Sequence, residues 1–581
     1  MTSPSTRVRV GLWVLLVAAV VGQGLVRPSP DVSWLLYVAR EMLHGARLGV
    51  DLLEVTPPMI FLPKLPVVWV AGFVGVGMWH AWIGAMVVLA FGTLFLIQRM
   101  LLPGRAAGES QNDFFVLATA FLLLLLPSVE FGQKEHLTAV LVLPYVVLAA
   151  RRLARAPVSM WLAVVAGVMG GVAIGIKPHF VLLMMGILVL EYWRLGGRLP
   201  WVEHLSVILV GVIYLILVAI LIPGYYAYAR DYGGLYQTFL SRTALEIIVF
   251  GHGSLPGLIA LGIFAVLRQY VPQWRRPLPD ALAVGTAAFY LAAVLQGKGW
   301  YYHFLPSIIL GSLLLGLLLA AGARRLPTLH RVYHALGAAV LIATIVAPLQ
   351  TTMWRVLRPS SSVHDADPNR SALMPFIREA GEGATVAVIS SNIASAFPLI
   401  LESGARWPLR FPSLWPLIAL YDHTLDWDRV IEPRTPDMWV PLERSFVDAV
   451  YEDLEKGSPE LVIVLQSDPS AIGWGGARHF DYLRYFKQDA RFGDFFSRYR
   501  YADNIGDYAL FRRGTDGLSS NPSDTRIGQA VTLGQPQERT RARVAAWVLT
   551  LVGAGLGFWG SWRTTGVGPS NSAPAKPPPS S

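Results

Sequence analysis

Nine side chains in the first 350 residues are placed as reactive groups would be. Lys64, Lys134, Lys177 and Lys298 are the only lysines in that stretch, and each sits in a short polar patch at the end of an apolar segment. Asp31, Asp51, Glu54, Glu130 and Glu135 fall in patches of the same kind. Carboxylates accept protons from attacking groups, and ammonium groups neutralise anions. A membrane chain that gathers its acids and lysines on one face has a reaction or binding site there.

Arginine marks the opposite face. Clusters occur at Arg99 and Arg105, at Arg151, Arg152 and Arg155, at Arg194 and Arg198, at Arg268, Arg275 and Arg276, and at Arg324, Arg325 and Arg331. The positive-inside rule makes these ends cytoplasmic, so the lysine and acid patches face the other compartment.

The elements that must position these residues are membrane helices. Of 581 residues, 54% are hydrophobic and only 15% charged, and the net charge of +10 comes mostly from loop arginines, so no nucleic-acid partner is needed to explain it. The absence of cysteine excludes disulfides, thiol catalysis and cysteine-ligated zinc. Apolar stretches of about the ~20 residues a crossing needs lie at 10–27, 80–98, 114–129, 137–151, 160–176, 179–193, 201–222, 246–267, 280–296, 304–322, 333–350 and 544–561. The first follows Arg7 and Arg9 without a clean cleavage site, and reads as an uncleaved span. Pro57 to Met78 is expected to lie in the outer interface, broken by Pro63 and Pro66, because counting it as a span would move all five arginine clusters outside.

The expected fold is a polytopic α-helical membrane protein of about 11–12 transmembrane helices with an extracytoplasmic α/β domain near the C-terminus. Residues 1–350 form the membrane domain, with a first outer loop at 28–79; residues 351–543 form the soluble domain; 544–562 is a final span and 563–581 a disordered tail. Within the soluble domain, Ala384 to Ile389 and Leu461 to Leu465 read as buried strands, Phe446 to Glu455 as a helix, and Tyr499 to Tyr501 with Tyr508 to Phe511 as a hairpin. Arg539, Arg541 and Arg543 precede the final span and oppose the orientation that parity assigns it.

Three motifs carry a family resemblance. The first outer loop reads PDVSWLLYVAREMLHGARLGVDLLEVTPPMIF from Pro30, GVAIGIKPHF ends at Phe180, and GKGWYYHFLP begins at Gly297. In order, spacing and sidedness the chain resembles the GT-C glycosyltransferase superfamily, especially the lipid A aminoarabinose transferases and protein O-mannosyltransferases. It departs from the pattern where Val32 follows Asp31 in place of a second acid. Val55-Thr56 also replaces the lysine that commonly precedes the Pro-Pro pair.

The resemblance implies an integral membrane glycosyltransferase of the cytoplasmic (inner) membrane, its site and soluble domain facing the periplasm or exterior. The donor would be a sugar on a polyprenyl phosphate, the acceptor an envelope glycan, lipid or protein, with membrane lipids around it. Asp31 is the expected catalytic base. Lys298, Tyr302, His303, Lys177 and Arg242 are expected at the donor phosphate. Asp51, Glu54, Lys134, Glu135 and His136 are expected at the substrate; the last three come from the second outer loop, SVEFGQKEHL. No cofactor is expected, and the aspartates of His364 to Pro368 lie in a linker that gives a metal little support. The same residue types also permit plainer roles, as helix caps, snorkelling lysines or an aromatic belt. Other readings are a transporter or flippase of lipid-linked sugars, and a non-catalytic envelope assembly protein.

Overall fold

The computed structural model describes residues 6–101, 106–271, 276–320, 328–357, 369–381, 383–421, 434–466 and 480–514. The expected final span, the arginines before it, the C-terminal tail and His364–Pro368 lie outside the described residues.

The membrane part runs α1 (Thr6–Gly24), α2 (Pro30–Leu43), α3 (Phe61–Val74), α4 (Met78–Met100), α5 (Ala106–Leu124), α6 (Lys134–Leu153), α7 (Met160–Ile176), α8 (Val181–Leu195) and α9 (Trp201–Leu221). It continues through α10 (Pro223–Thr238), α11 (Ala244–Phe250), α12 (Ser254–Leu267), α13 (Pro277–Leu295), α14 (Tyr301–Ala320) and α15 (Thr328–Leu357). Among the described residues, eight helices are long and apolar enough to cross a membrane, and nine if α11 and α12 are counted as one broken span. The chain is a multi-pass membrane protein. At the centre, α6 and α14 are buried along most of their length, whereas α9 and α15 present Leu, Ile and Val outward. In lipid, close helix contact needs small residues. Gly167 and Gly171 supply it between α7 and α9, where a Cβ would fall 2.4 Å from the Glu203 carbonyl oxygen and 2.8 Å from Val210.

Two expectations change. The segment 246–267 is not one helix: α11 and α12 meet at 84°, across Gly253 with φ +91°. Thr243 and Glu246 start α11 with a reciprocal capping box, which sets its direction independently of α12. Conversely, Pro63 and Pro66 do not break α3. Pro63 occupies the first turn, where no intrahelical bond is lost, and the helix continues past Pro66. At 14 residues, α3 is about 21 Å long, short of the ~30 Å hydrocarbon core.

The C-terminal part is a small α/β domain. It comprises α16 (Asn369–Glu379), β1 (Val386–Ile389), α17 (Leu399–Ser403), α18 (Trp415–Tyr421), α19 (Pro441–Gly457), β2 (Leu461–Leu465), α20 (Tyr482–Lys487), α21 (Ala490–Ser497), β3 (Tyr499–Ile505) and β4 (Tyr508–Arg513). The sheet order is β1-β2-β4-β3, with β1 and β2 parallel from Val386↔Leu461 to Ile389↔Val464. The β1–β2 crossover contains α19, which buries Phe446, Val447, Val450 and Leu454. β3 and β4 form an antiparallel hairpin whose turn begins at Gly506, with φ +58°.

This domain is docked on the membrane part. The Trp407 N–H donates to Tyr37 Oη at 2.8 Å, the Leu53 N–H to the Arg410 carbonyl at 2.7 Å, and Arg27 pairs with Glu402 at 3.3 Å. Phe397 packs edge-on against Trp34 and Tyr37, with centroids 5.3 and 5.6 Å away.

Candidate active site

The helix ends sort into two sets. At one, arginines are closed off by acids: Arg152 makes a two-pronged contact to Glu203 at 2.8 and 3.0 Å, and Arg268 makes another to Asp280 at 2.6 and 2.8 Å. Arg194 adds a further contact to Asp280. The other set surrounds a cavity between the membrane helices and the soluble domain, lined by Asp31, Glu54 and Lys134.

Asp31 enters the cavity from the first turn of α2. Ser29 starts this helix, its hydroxyl accepting the Val32 N–H, and Pro30 supplies a φ already suited to the first helical position. The Gln133 amide donates to Ser29 Oγ at 3.1 Å and to Asp31 Oδ2 at 3.3 Å, so one side chain holds the helix start and its carboxylate together. Glu54 arrives on the loop that follows α2. Its carboxylate accepts the Trp34 indole N–H at 2.6 Å and the Thr56 backbone N–H at 2.7 Å. That loop lies against α10 because Gly49 has no side chain; a Cβ there would fall 2.5 Å from the Tyr225 nitrogen.

Lys134, the first residue of α6, completes the floor. The carboxylates of Asp31, Glu54 and Glu135 act on its ammonium group through space. Among the described residues its one hydrogen bond is to Thr56 Oγ1 at 3.1 Å, which leaves two of its three N–H donors without a protein partner there. Glu54 and Lys134 thus line the same cavity as Asp31. Trp34, Tyr236, Phe239, Trp300, Tyr302 and Trp415 add aromatic walls, and Ser391, Asn392 and Ser413 of the soluble domain close the far side.

The other expected site residues have different surroundings. Lys298 is buried in the α13–α14 connection, and its ammonium donates to the carbonyls of Tyr236 at 2.8 Å, Gln237 at 3.1 Å and Phe239. These carbonyls end α10 and need donors. All three Lys298 donors are thereby occupied. Lys177 binds Glu135 and Gln296 behind the cavity, and His303 approaches Glu135 at 3.9 Å. Arg242 meets the Gly297–Gly299 loop through its backbone N–H, 2.7 Å from the Gly297 carbonyl. His136 accepts the Gly132 N–H on Nδ1 at 2.9 Å and so donates from Nε2 to the Leu123 carbonyl at 2.8 Å, clamping the turn before α6. Asp51 pairs with Arg47 at 3.0 Å in an exposed turn, and that guanidinium holds its carboxyl below the usual range. Only Tyr302 among the expected phosphate ligands lines the cavity itself. Lys64 lies deep in the fold, its amine 3.6 Å from the centre of the Trp82 ring and without a hydrogen-bond partner among the described residues.

Several contributors were not singled out from sequence. Tyr236 lines the cavity from the end of an α10 tyrosine stripe (Tyr225, Tyr228, Tyr232, Tyr236) whose helical spacing was visible in principle; Gln133, Thr56 and the soluble-domain serines carry no local signal.

No protein-family model and no curated protein matches the chain. Its fold is the GT-C fold. The crystal structure of ArnT from Cupriavidus metallidurans bound to undecaprenyl phosphate aligns with 89% of this chain and 100% of that one, at 14% identity and a TM-score of 0.50. The apo structure of the same ArnT covers 88% of this chain and 98% of its own, at 15% identity and a TM-score of 0.48.

Proposed function

We propose that the protein is a glycosyltransferase that moves a sugar from a polyprenyl phosphate to a hydroxyl of a cell-envelope glycan, lipid or protein. The observation that carries this reading is a cavity in which a half-exposed carboxylate, a second acid and a lysine with two donors unused among the described residues meet. The ArnT likeness supports it through the fold, and that neighbour binds undecaprenyl phosphate.

In the proposed reaction the donor phosphate sits at Lys134, with the Tyr302 hydroxyl beside it. Asp31 removes the proton of the acceptor hydroxyl as that oxygen attacks the anomeric carbon. The bond from that carbon to the phosphate oxygen breaks, and its electron pair leaves with the polyprenyl phosphate, whose growing charge Lys134 neutralises. One displacement inverts the anomeric centre. Glu54 orients Trp34 and Thr56, and through Thr56 it holds the lysine. Lys298, Lys177, His136 and Asp51 take supporting roles in this scheme, because their side-chain polar contacts are made to the protein. The arginine-paired ends lie in the cytoplasm and the cavity opens on the far side of the inner membrane, where lipid-linked sugars are the available donors.

The test is transfer in reconstituted vesicles, offering the purified protein a panel of labelled polyprenyl-phosphate sugars with envelope acceptors. Labelled product with at least one donor supports the reading. Movement of lipid-linked sugar across the bilayer without product would instead indicate a flippase.

A further inference from the structure

The wall of the cavity facing Lys134 belongs to the soluble domain, through the turns at Ser391–Ile393 and Pro412–Trp415. Its hydroxyls are arranged as a donor next to an acceptor. Ser391 Oγ accepts the Tyr482 hydroxyl at 2.8 Å, so its own proton remains to be given. Ser413 Oγ gives its proton to the Ser391 carbonyl at 2.9 Å, so its lone pairs remain to accept. A sugar hydroxyl both donates and accepts, and such a pair matches it. Trp415 stands beside them, its ring fixed at 5.5 Å from Tyr236 and 5.6 Å from Phe239.

This wall is held rigidly. The Tyr482 hydroxyl also accepts the Ser391 backbone N–H at 3.0 Å. The Arg410 side chain makes contacts of 2.8 to 3.0 Å to Asp453, while the Arg410 carbonyl takes the Leu53 N–H at 2.7 Å, one residue before Glu54. Wall and floor are thus kept in fixed relation.

We propose that the soluble domain reads the transferred sugar: Ser391 and Ser413 hydrogen-bond its ring hydroxyls, and Trp415 packs against its apolar face. The inference rests on the donor reading above. With the phosphate at Lys134, the sugar attached to it extends across the cavity toward this wall, while the acceptor hydroxyl meets Asp31. The ligand class is a hydroxyl-bearing sugar ring, recognised separately from the lipid phosphate that carries it.

The test compares binding of bare undecaprenyl phosphate with binding of the undecaprenyl-phosphate sugar that gives the most parental product, using the full-length protein in lipid nanodiscs. Ser391→Ala and Ser413→Ala should each weaken the sugar-bearing lipid by ~2–10-fold, the worth of one hydrogen bond, and leave the bare lipid unchanged. Trp415→Leu should act in the same direction. Bare-lipid binding also reports that the variants are folded; where an alanine variant fails that control, Ser391→Cys, similar in size but a weak donor, carries the same expectation. Equal weakening of both lipids, an unchanged preference for the sugar, or a change confined to the acceptor KM would overturn the proposal. If the parent binds neither lipid, it is the donor reading that fails; if the parent binds both equally, the donor reading stands and the sugar-reading wall does not.

Discussion

Lys298 and Lys134 stand at the same end of the helix bundle, beside the same stretch of α10, and the fold uses them in opposite ways. Lys298 closes a helix: three carbonyls at the end of α10 take all of its donors, and burial pushes its pKa down to about 8. Lys134 is half-buried, subject to nearby carboxylates, and among the described residues hydrogen-bonded only to Thr56. The number of donors left over, rather than residue type or motif, separates a structural lysine from one able to hold a ligand. On the proposed reading, the motif around Lys298 positions the wall, through Tyr236, and the motif around Lys134 supplies the charge.

The contrast can be broken in several places. Lys298→Met leaves buried carbonyls without donors, and should cost ~3 kcal/mol of stability while the folded fraction keeps its donor affinity within a few-fold. Thermal unfolding alongside undecaprenyl-phosphate titration checks this; normal stability with lost affinity would reverse the two roles. Lys134→Met should do the converse, weakening undecaprenyl phosphate by ~10–100-fold through loss of a charge-assisted hydrogen bond while the unfolding transition barely moves. Gln133→Leu removes the amide that aims Asp31. Turnover should fall ~3–10-fold, the scale of one hydrogen bond, with the donor KM unchanged. Asp51→Asn tests the other extreme. An exposed pair screened by water contributes little, so stability and turnover should stay near parental. Because Arg47 lowers the Asp51 pKa, the small contribution of that pair is present at neutral pH and is lost only in acid, as pH falls through the folded value. A change in its effect between pH 6 and 8 would contradict the assignment.

Much of the architecture was legible because it rests on local signals. Leu461–Leu465, an unbroken apolar run between polar ends, is β2 at its expected bounds, and the Gly506 turn marked the hairpin. The membrane helices followed from apolar length. The bend between α11 and α12 was hidden because hydropathy is blind to the positive φ at Gly253. Pro63 and Pro66 misled because a proline in the first turn of a helix costs it nothing and α3 tolerates the second. For the site, Asp31, Glu54, Lys134 and Tyr302 line the cavity, whereas Asp51 and His136 resemble them in sequence but bind their own loops. Telling these apart requires knowing which acceptors lie nearby, and Ser391 and Ser413 come from more than 350 residues beyond Asp31. No local pattern encodes a wall built by domain docking.

The most direct measurement compares product formation by the parent and by Asp31→Asn in the same reconstituted vesicles, at saturating donor. The asparagine keeps the shape and the Gln133 contact but cannot act as the base. Membrane insertion and undecaprenyl-phosphate binding should stay intact, with turnover reduced by ~10²-fold or more. Near-parental transfer by Asp31→Asn would remove that carboxylate from the chemistry and leave Glu54 as the acid in the cavity to examine.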